Sequence, residues 1–179
     1  CYVRSEGLED RVEIRQADIF ETDFSDATVL TLYLLSDLNM KLRPTILALR
    51  PGTRVVSNSF KMGEWEPDQD IEVENSYAHA YLWIVPARIG GVWSFREQGG
   101  DQTFEVTLEQ DFQKFSGAGA GGLAVSEGRL RGADLEFTVI GLAGQPLALA
   151  GRVEGDQMQV TTRRDGRTVT YVGTRTKRS

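Results

Sequence analysis

The sequence predicts an α+β protein in which a partial, open α/β sheet is followed by an all-β antiparallel barrel or sandwich. Two observations support this fold class. Up to about residue 90, apolar strand patterns alternate with a helix-spaced apolar pattern. From about residue 92, short alternating strands follow one another with glycine-containing turns and without a helical pattern. We therefore expect two domains, residues 1–91 and residues 92–179.

The periodicity of the N-terminal part predicts its elements in order. VEIRQADIF (residues 12–20) is predicted as a strand, and ATVLTLYLL (residues 27–35) as a second strand that is apolar on both faces. SDLNMKLRPTILAL (residues 36–49) has apolar residues at helical spacing, and TRVVSNSF (residues 53–60) begins a new strand after Pro-Gly. Strands of this kind joined through a helix are typical of an open sheet with parallel strands.

Three loops follow these predicted strands and form the candidate site: Asp18–Ile19, Tyr33–Asp37 and Asn58–Phe60. In open α/β sheets, ligands bind outside the carboxyl ends of the strands, so we expect the three loops to be neighbours. The carboxylate of Asp18 has two possible roles: it accepts a hydrogen bond from a ligand amine, or it caps its own turn.

In the C-terminal part, the repeated strands predict a closed barrel or a sandwich, since closure removes exposed strand edges. The phrases GRLRGADLEFT (residues 128–138) and GRVEGDQMQVT (residues 151–161) indicate two similar hairpins packed side by side, and Asp165-Gly166 indicates a tight hairpin turn. Seven alternating apolar residues line this part. They are Phe104, Val106, Leu108, Phe137, Val139, Leu147 and Leu149. They either fill the interior or surround a small ligand, which would make the chain a ligand-binding module.

Charge and composition exclude several classes of function. A net charge of -6 and a pI near 4.9 argue against general nucleic-acid binding, and no apolar run is long enough to span a membrane. The single cysteine, Cys1, cannot form an internal disulfide, so a cytoplasmic location is expected. No zinc-protease, P-loop or serine-hydrolase motif occurs in the sequence, and we predict no metal site.

Two further features have alternative interpretations. Acidic residues occupy every second position from Glu64 to Glu74, which indicates a solvated edge or, for an interaction module, a surface for a basic partner. His79 is the only histidine, and it is either a packed or surface residue or a general base.

The run DRVEIRQADIFETDFSDATVLTLYLLSDLNMKLRPTILALRPGTRVVSNSFKMGEWEPD (residues 10–68) resembles the later part of a class I, Rossmann-like S-adenosylmethionine-dependent methyltransferase. The likeness covers roughly residues 5–90. It implies that residues 1–91 are the C-terminal part of a Rossmann-like methyltransferase domain. It also implies that S-adenosylmethionine is the cofactor and that the methyl acceptor is a protein or small molecule that the resemblance does not identify.

The resemblance also implies roles for five residues. The positions of Asp18 and Ile19 match those that contact the adenine amine and pack against the adenine ring, respectively. Leu32, Tyr33 and Leu34 match the strand end that borders the methionine moiety and the acceptor. The resemblance does not identify the catalytic residues.

The glycine-rich GxGxG turn of that family has no counterpart between a strand and a helix of this sequence, since GAGAGG (residues 117–122) lies within the β-rich part. We therefore expect the chain to be a truncated portion of a methyltransferase that is inactive alone. An incomplete sheet exposes an unpaired edge, so self-association is expected as well.

Overall fold

The computed structural model describes residues 2–72, 78–142 and 144–179. Among these, the helices are α1 (Tyr2–Ser5) and α2 (Ser36–Leu47), with a short 3-10 helix at Ala120–Gly122. The first four strands are β1 (Val29–Leu32), β2 (Arg54–Asn58), β3 (Gln69–Glu72) and β4 (His79–Ile84). The other strands are β5 (Gly91–Glu97), β6 (Thr103–Asp111), β7 (Lys114–Ala118), β8 (Ala124–Arg131), β9 (Asp134–Ile140), β10 (Leu147–Glu154), β11 (Gln157–Arg164) and β12 (Arg167–Arg178).

The first four strands form a mixed sheet with the order β1-β2-β4-β3. β1 and β2 are parallel and are joined through α2, whereas β4 is antiparallel to both of its neighbours. Leu42 and Ile46 of α2 are fully buried in one cluster with Val55 and Trp83 of the sheet. Burial of such side chains contributes about 1.5 to 3 kcal/mol each, which holds the helix against the sheet.

The remaining eight strands form a closed barrel in which each strand pairs with the next along the chain and β12 pairs with β5. The seven alternating apolar residues that were expected to line it are all buried. Trp93, Phe95 and Tyr171 are fully buried in the same cluster. The interior is thus packed with the protein's own side chains, which favours a structural core over a ligand cavity.

The two recurring phrases form neighbouring hairpins, as predicted. Residues 128–138 lie in β8 and β9, residues 151–161 lie in β10 and β11, and β9 pairs with β10. Asp165 and Gly166 join β11 to β12 with φ values of 52° and 76°. Positive φ at both positions is the backbone geometry that a tight two-residue hairpin requires.

The predicted fold class is wrong. The described residues are mostly β, with a closed barrel and a small mixed sheet, and α2 is their only helix longer than one turn. The partial Rossmann-like α/β sheet of an α+β protein is therefore reduced to one β-helix-β unit extended by β4 and β3, which are antiparallel to each other. The strand expected at residues 12–20 does not form, because no described strand pairs with this segment and a strand needs a partner for its backbone groups.

The β6–β7 hairpin connects the barrel to the sheet. At its tip, the ring of Phe112 stacks on Trp65 with ring centroids 5.9 Å apart, and the guanidinium of Arg43 lies 5.3 Å from the Phe112 ring. The buried Gln113 donates from Nε2 to the Glu66 carbonyl at 2.8 Å. Phe112 has a φ of 52°, an unfavourable value for a bulky residue that these contacts must stabilise.

The structure does not test whether the chain divides into independent domains at residues 91 and 92, so that division stays a prediction. In the parts of the chain that are described, no helix has the length and hydrophobicity needed to cross a bilayer.

Candidate functional site

The candidate site is built at the carboxyl ends of the parallel pair. Leu32, the last residue of β1, is opposite Ser57 near the end of β2, so the chain leaves both strands at the same edge of the sheet. Tyr33 directly follows β1 and Phe60 is the second residue after β2, and their ring centroids are 6.2 Å apart. The Tyr33 side chain is largely exposed, with 77% of its surface accessible. An aromatic surface is therefore presented to solvent at this edge.

Asp18 begins a tight turn beside the helix. Its Oδ1 accepts from the Phe20 backbone N–H at 2.8 Å, and its carbonyl accepts from the Thr22 hydroxyl at 2.6 Å. The ammonium group of Lys41 in α2 lies 4.3 Å from the centroid of the Phe20 ring, which connects the turn to the helix. Asp18 therefore caps its own turn through one oxygen, and Oδ2 has no recorded partner among the described residues.

Three of the other predicted site residues belong to one cluster. Leu32 is buried in the core of the sheet, and Ile19 and Leu34 pack against that cluster while remaining partly exposed. The structure thus groups Ile19, Leu32 and Leu34, and places the turn that begins at Asp18 and the exposed Tyr33 at the borders of this group. The roles of all five residues as cofactor contacts stay predictions.

A buried asparagine in α2 forms hydrogen bonds that stabilise the loop after β2. The Asn39 side chain donates to Ser57 Oγ at 3.2 Å and to the Phe60 carbonyl at 3.3 Å, and its Oδ1 has no partner among the described residues. Ser59 has a φ of 63°, and its N–H donates to the His79 carbonyl at 2.7 Å. Strained backbone of this kind persists where the surroundings fix it, and it occurs often at functional sites.

Asn39 was not among the residues of the predicted site, and the structure buries it completely in the first turns of α2. A usable signal was present in the sequence. Asn39 precedes Leu42 by three residues and Ile46 by seven, so all three lie on the same helical face. A polar residue on a face directed at the core must find hydrogen-bond partners there.

His79 lies near the same edge, at the start of β4. Its Nδ1 is 2.7 Å from Oδ1 of Asp70 in β3, and its ring stacks on Tyr81 with centroids 5.6 Å apart and planes 8° apart. The side chains of His79 and Asp70 are 41% and 44% exposed. His79 is therefore both packed and accessible, and its ring is oriented by a carboxylate.

The acidic residues before and within β3 are largely paired within the chain. Glu64 accepts from Arg43 at 2.7 Å and Glu66 pairs with Lys114, and these hydrogen bonds lower the pKa of each carboxyl group. Asp68 accepts from the Ile84 N–H at 2.7 Å, and burial raises its pKa.

The carboxylates of this acidic row are therefore not a line of unpaired charges. β3, which contains part of the row, is an edge strand. The last member of the row, Glu74, lies outside the described residues. Within the described ranges, no group of three or more histidine, cysteine, aspartate or glutamate side chains could hold a metal ion.

Comparison with known proteins finds similarities to methyltransferases in the N-terminal part. Residues 1–69 match the profile of the family described as the ANTKMT methyltransferase domain. The chain is also 37% identical over 86 residues to a protein-lysine N-methyltransferase of Saccharolobus islandicus (strain REY15A). The predicted resemblance to S-adenosylmethionine-dependent methyltransferases is confirmed, and with it the cofactor expected for that family.

These similarities are partial in extent. The match to the Saccharolobus protein covers 46% of this chain and 53% of the relative, so the chain spans about half the length of the curated relative it matches. The chain is also similar to an RNA methyltransferase from Salinibacter ruber, whose crystal structure contains S-adenosyl-L-homocysteine. The identity is 47%, the TM-score is 0.46, and the match covers 49% of this chain and 57% of that chain.

Proposed function

We propose that the whole protein is an S-adenosylmethionine-dependent methyltransferase and that residues 1–91 supply one wall of its cofactor cleft. The observation that carries this proposal is the match of residues 1–69 to a methyltransferase domain. The position of the candidate site supports it, because ligands of open α/β sheets bind beyond the carboxyl ends of parallel strands. The predicted residues flank that position on β1 and beside α2.

The residues present fit this cofactor. The free oxygen of Asp18 is able to accept a hydrogen bond from the adenine amine while the other oxygen keeps the turn closed. Ile19 offers a half-exposed apolar surface for the adenine ring, and Leu32, Tyr33 and Leu34 form the border toward the methionine moiety. When bound, the cofactor supplies a methyl group already activated on a sulfonium. The chain therefore has to orient the acceptor and exclude water.

The proposed acceptor is an amine of a protein, such as the lysine that the name of the Saccharolobus relative specifies. Residues 1–91 contain 15 acidic and nine basic residues, whereas residues 92–179 contain 11 of each. The entire net charge of -6 therefore lies in the part that contains the candidate site. This charge attracts a cationic lysine segment and repels the phosphates of a nucleic acid.

Two further elements of the proposal concern the state of the chain. The outer edge of β1 has no strand partner among the described residues, which supports self-association of this chain through the sheet. A cytoplasmic location agrees with the single cysteine of the sequence, which cannot form an internal disulfide.

Calorimetric titration with S-adenosyl-L-homocysteine tests the function, both on this chain and on the whole protein. We expect binding by the whole protein, and we expect Asp18→Ala to weaken it by about tenfold. That factor corresponds to the loss of one hydrogen bond to a charged group, about 1.4 kcal/mol.

Asp23→Ala is the matched control for this titration. Asp23 closes a similar turn by accepting from the Ser25 N–H at 2.9 Å, but it is not one of the residues expected to contact the cofactor. Equal losses in the two variants would show that only the turn matters. A whole protein that does not bind S-adenosyl-L-homocysteine would contradict the proposed function.

A further inference from the structure

We propose that His79 accepts the proton that the acceptor amine must lose, and that Asp70 orients the His79 ring for this step. This inference rests on the proposed function and adds a residue to its site. His79 and Asp70 are the acid-base pair that the structure places at the edge of the sheet where Tyr33 and Phe60 emerge.

The strand register places His79 at this edge. Ser57 of β2 is opposite both Leu32 of β1 and Tyr81 of β4, so these three residues form one row across the sheet. Tyr33 lies beyond this row, and because β4 runs in the opposite direction, His79 lies beyond it on the same side. Neighbouring strands are about 4.8 Å apart, so the backbones of Tyr33 and His79 are separated by two strand spacings, about 10 Å. Both residues therefore lie at the edge of the sheet where the candidate site is.

The geometry of the pair fixes which nitrogen is available. Nδ1 of His79 is 2.7 Å from the Asp70 carboxylate, which can only accept a hydrogen bond, so of the two neutral tautomers it favours the one with its proton on Nδ1. Nε2 has no recorded partner within the described parts of the chain, and the side chain is 41% exposed. The remaining lone pair of the neutral ring is thus directed away from Asp70 and is accessible.

The surroundings restrain the His79 ring without occupying Nε2. One side of the ring stacks on Tyr81, and the ammonium group of Lys61 lies 5.1 Å from the centroid of the Tyr81 ring. Glu72 is directly opposite His79 in the β3–β4 register and is the second carboxylate of β3 on this face. Among the residues that the structure describes, the charged groups around His79 are therefore Asp70 and Glu72 from β3 and Lys61 from the segment after β2.

A proton acceptor has a defined task in methyl transfer to an amine. A lysine ammonium has a pKa of about 10.4, so at neutral pH its nitrogen carries a proton in place of the lone pair that must react. Nε2 of His79 takes this proton and becomes part of an imidazolium that Asp70 stabilises. The freed nitrogen lone pair forms the N–C bond while the S–C bond breaks, and the electron pair of that bond stays on sulfur. The products are a methylated ammonium and a neutral thioether.

Nuclear magnetic resonance on this chain tests the orientation without any reaction. His79 is the only histidine, so its two ring nitrogens give the only imidazole 15N signals. We expect the neutral ring to carry its proton on Nδ1, and Asp70→Asn to shift the population toward the Nε2–H form. A wild-type ring protonated on Nε2 would overturn the inference.

Kinetics of the whole protein test the role, with poly-L-lysine as the acceptor probe. General acid-base groups contribute about 100-fold or more, so His79→Gln is expected to lower kcat by about 100-fold while S-adenosyl-L-homocysteine binding stays within twofold. Added imidazole should restore part of the activity of His79→Ala, and Asp70→Asn should displace the ascending limb of the pH profile. Glu64→Gln is the matched control and should leave the profile in place, because Glu64 pairs with Arg43 instead of His79.

The outcomes separate this inference from the function on which it rests. If the wild-type protein binds S-adenosyl-L-homocysteine and His79→Gln retains its kcat, the role of His79 is overturned and the proposed function stands. If the wild-type protein neither binds this product nor methylates poly-L-lysine, both are overturned.

Discussion

The surroundings of Asp68 and Asp156 shift the pKa values of these two aspartates in opposite directions. The Asp68 side chain is only 9% exposed, and desolvation raises its pKa despite the Ile84 N–H and the guanidinium of Arg129 at 4.0 Å. Asp156 lies on the barrel surface, where its hydrogen bond with Arg178 at 2.8 Å lowers its pKa. The folded state therefore favours the protonated form of Asp68 and the ionised form of Asp156.

We expect Asp68→Asn to increase the free energy of unfolding at pH 7 by about 1 kcal/mol or less, since the amide avoids the cost of burying a charge. A raised carboxyl pKa contributes most stability below the unfolded-state value, near 3.9, and that contribution is lost as pH rises through the folded-state value. The advantage of the variant should therefore be largest at pH 7 and disappear toward pH 3. Urea denaturation at a series of pH values measures it.

Asp156→Asn is the control of opposite sign. Its lowered pKa contributes stability above the unfolded-state value, and this contribution is lost as pH falls. The variant should be less stable than the wild type at pH 7 and should equal it in acid. If both variants shifted stability in the same direction at pH 7, the assignment of opposite environments would be wrong.

At the scale of elements, close packing between neighbouring strands explains why both recurring phrases of the barrel begin with glycine. A Cβ atom added at Gly128 would lie 2.3 Å from the Phe115 carbonyl oxygen, and one added at Gly151 would lie 1.9 Å from that of Gln159. Both contacts are shorter than side chains tolerate. The two phrases therefore share a position at which a neighbouring strand approaches too closely for any side chain.

We expect Gly151→Ala to lower the free energy of unfolding by about 3 kcal/mol, because the added methyl group meets backbone that moves only if β10 and β11 separate. Gly166→Ala is the comparison. Gly166 has a φ of 76° but open space around it, so only the backbone strain of about 1 to 2 kcal/mol applies. Urea denaturation of the two variants checks the order. A smaller loss at Gly151 than at Gly166 would mean that the strands adjust readily.

At the scale of the whole molecule, the barrel has no unpaired edges among its described strands, whereas the sheet is open. Closure pairs every barrel strand on both sides, whereas β1 is paired only with β2 within the described residues. Exposed apolar side chains lie in β1 and directly after it: Val29, Tyr33 and Leu35 are 45%, 77% and 63% exposed. An unpaired strand with apolar neighbours is a surface on which strands of another copy can pair.

We expect this chain to form dimers or larger species whose mass increases with concentration, and Val29→Lys to shift the population toward the monomer by at least about tenfold in dissociation constant. A lysine on an edge strand opposes pairing because its charge would have to be buried. Val172→Lys is the matched control, since Val172 is 40% exposed on the closed barrel. Light scattering across a concentration series distinguishes them, and a wild-type chain that stays monomeric throughout would contradict the expectation.

The barrel was the most predictable part of the molecule from sequence. Alternation along each strand determines which side chains face inward, and a turn such as Asp165-Gly166 restricts the backbone to a hairpin, so both signals are local. The helix from Ser36 was also predictable from the sequence, because its apolar residues recur at helical spacing. The resemblance to methyltransferases was likewise visible in the sequence of residues 10–68 alone.

Other features were decided only by tertiary structure. The segment at residues 12–20 has the alternation of a strand, but a strand exists only with a hydrogen-bonding neighbour, and none of the described strands pairs with it. The contact between Asp70 and His79, and the burial of Asn39 beneath Phe60, join residues that are nine and 21 positions apart. Local pattern determined the elements of this chain, whereas partners distant in sequence determined which elements persist and which side chains meet, because pairing and burial depend on the whole fold.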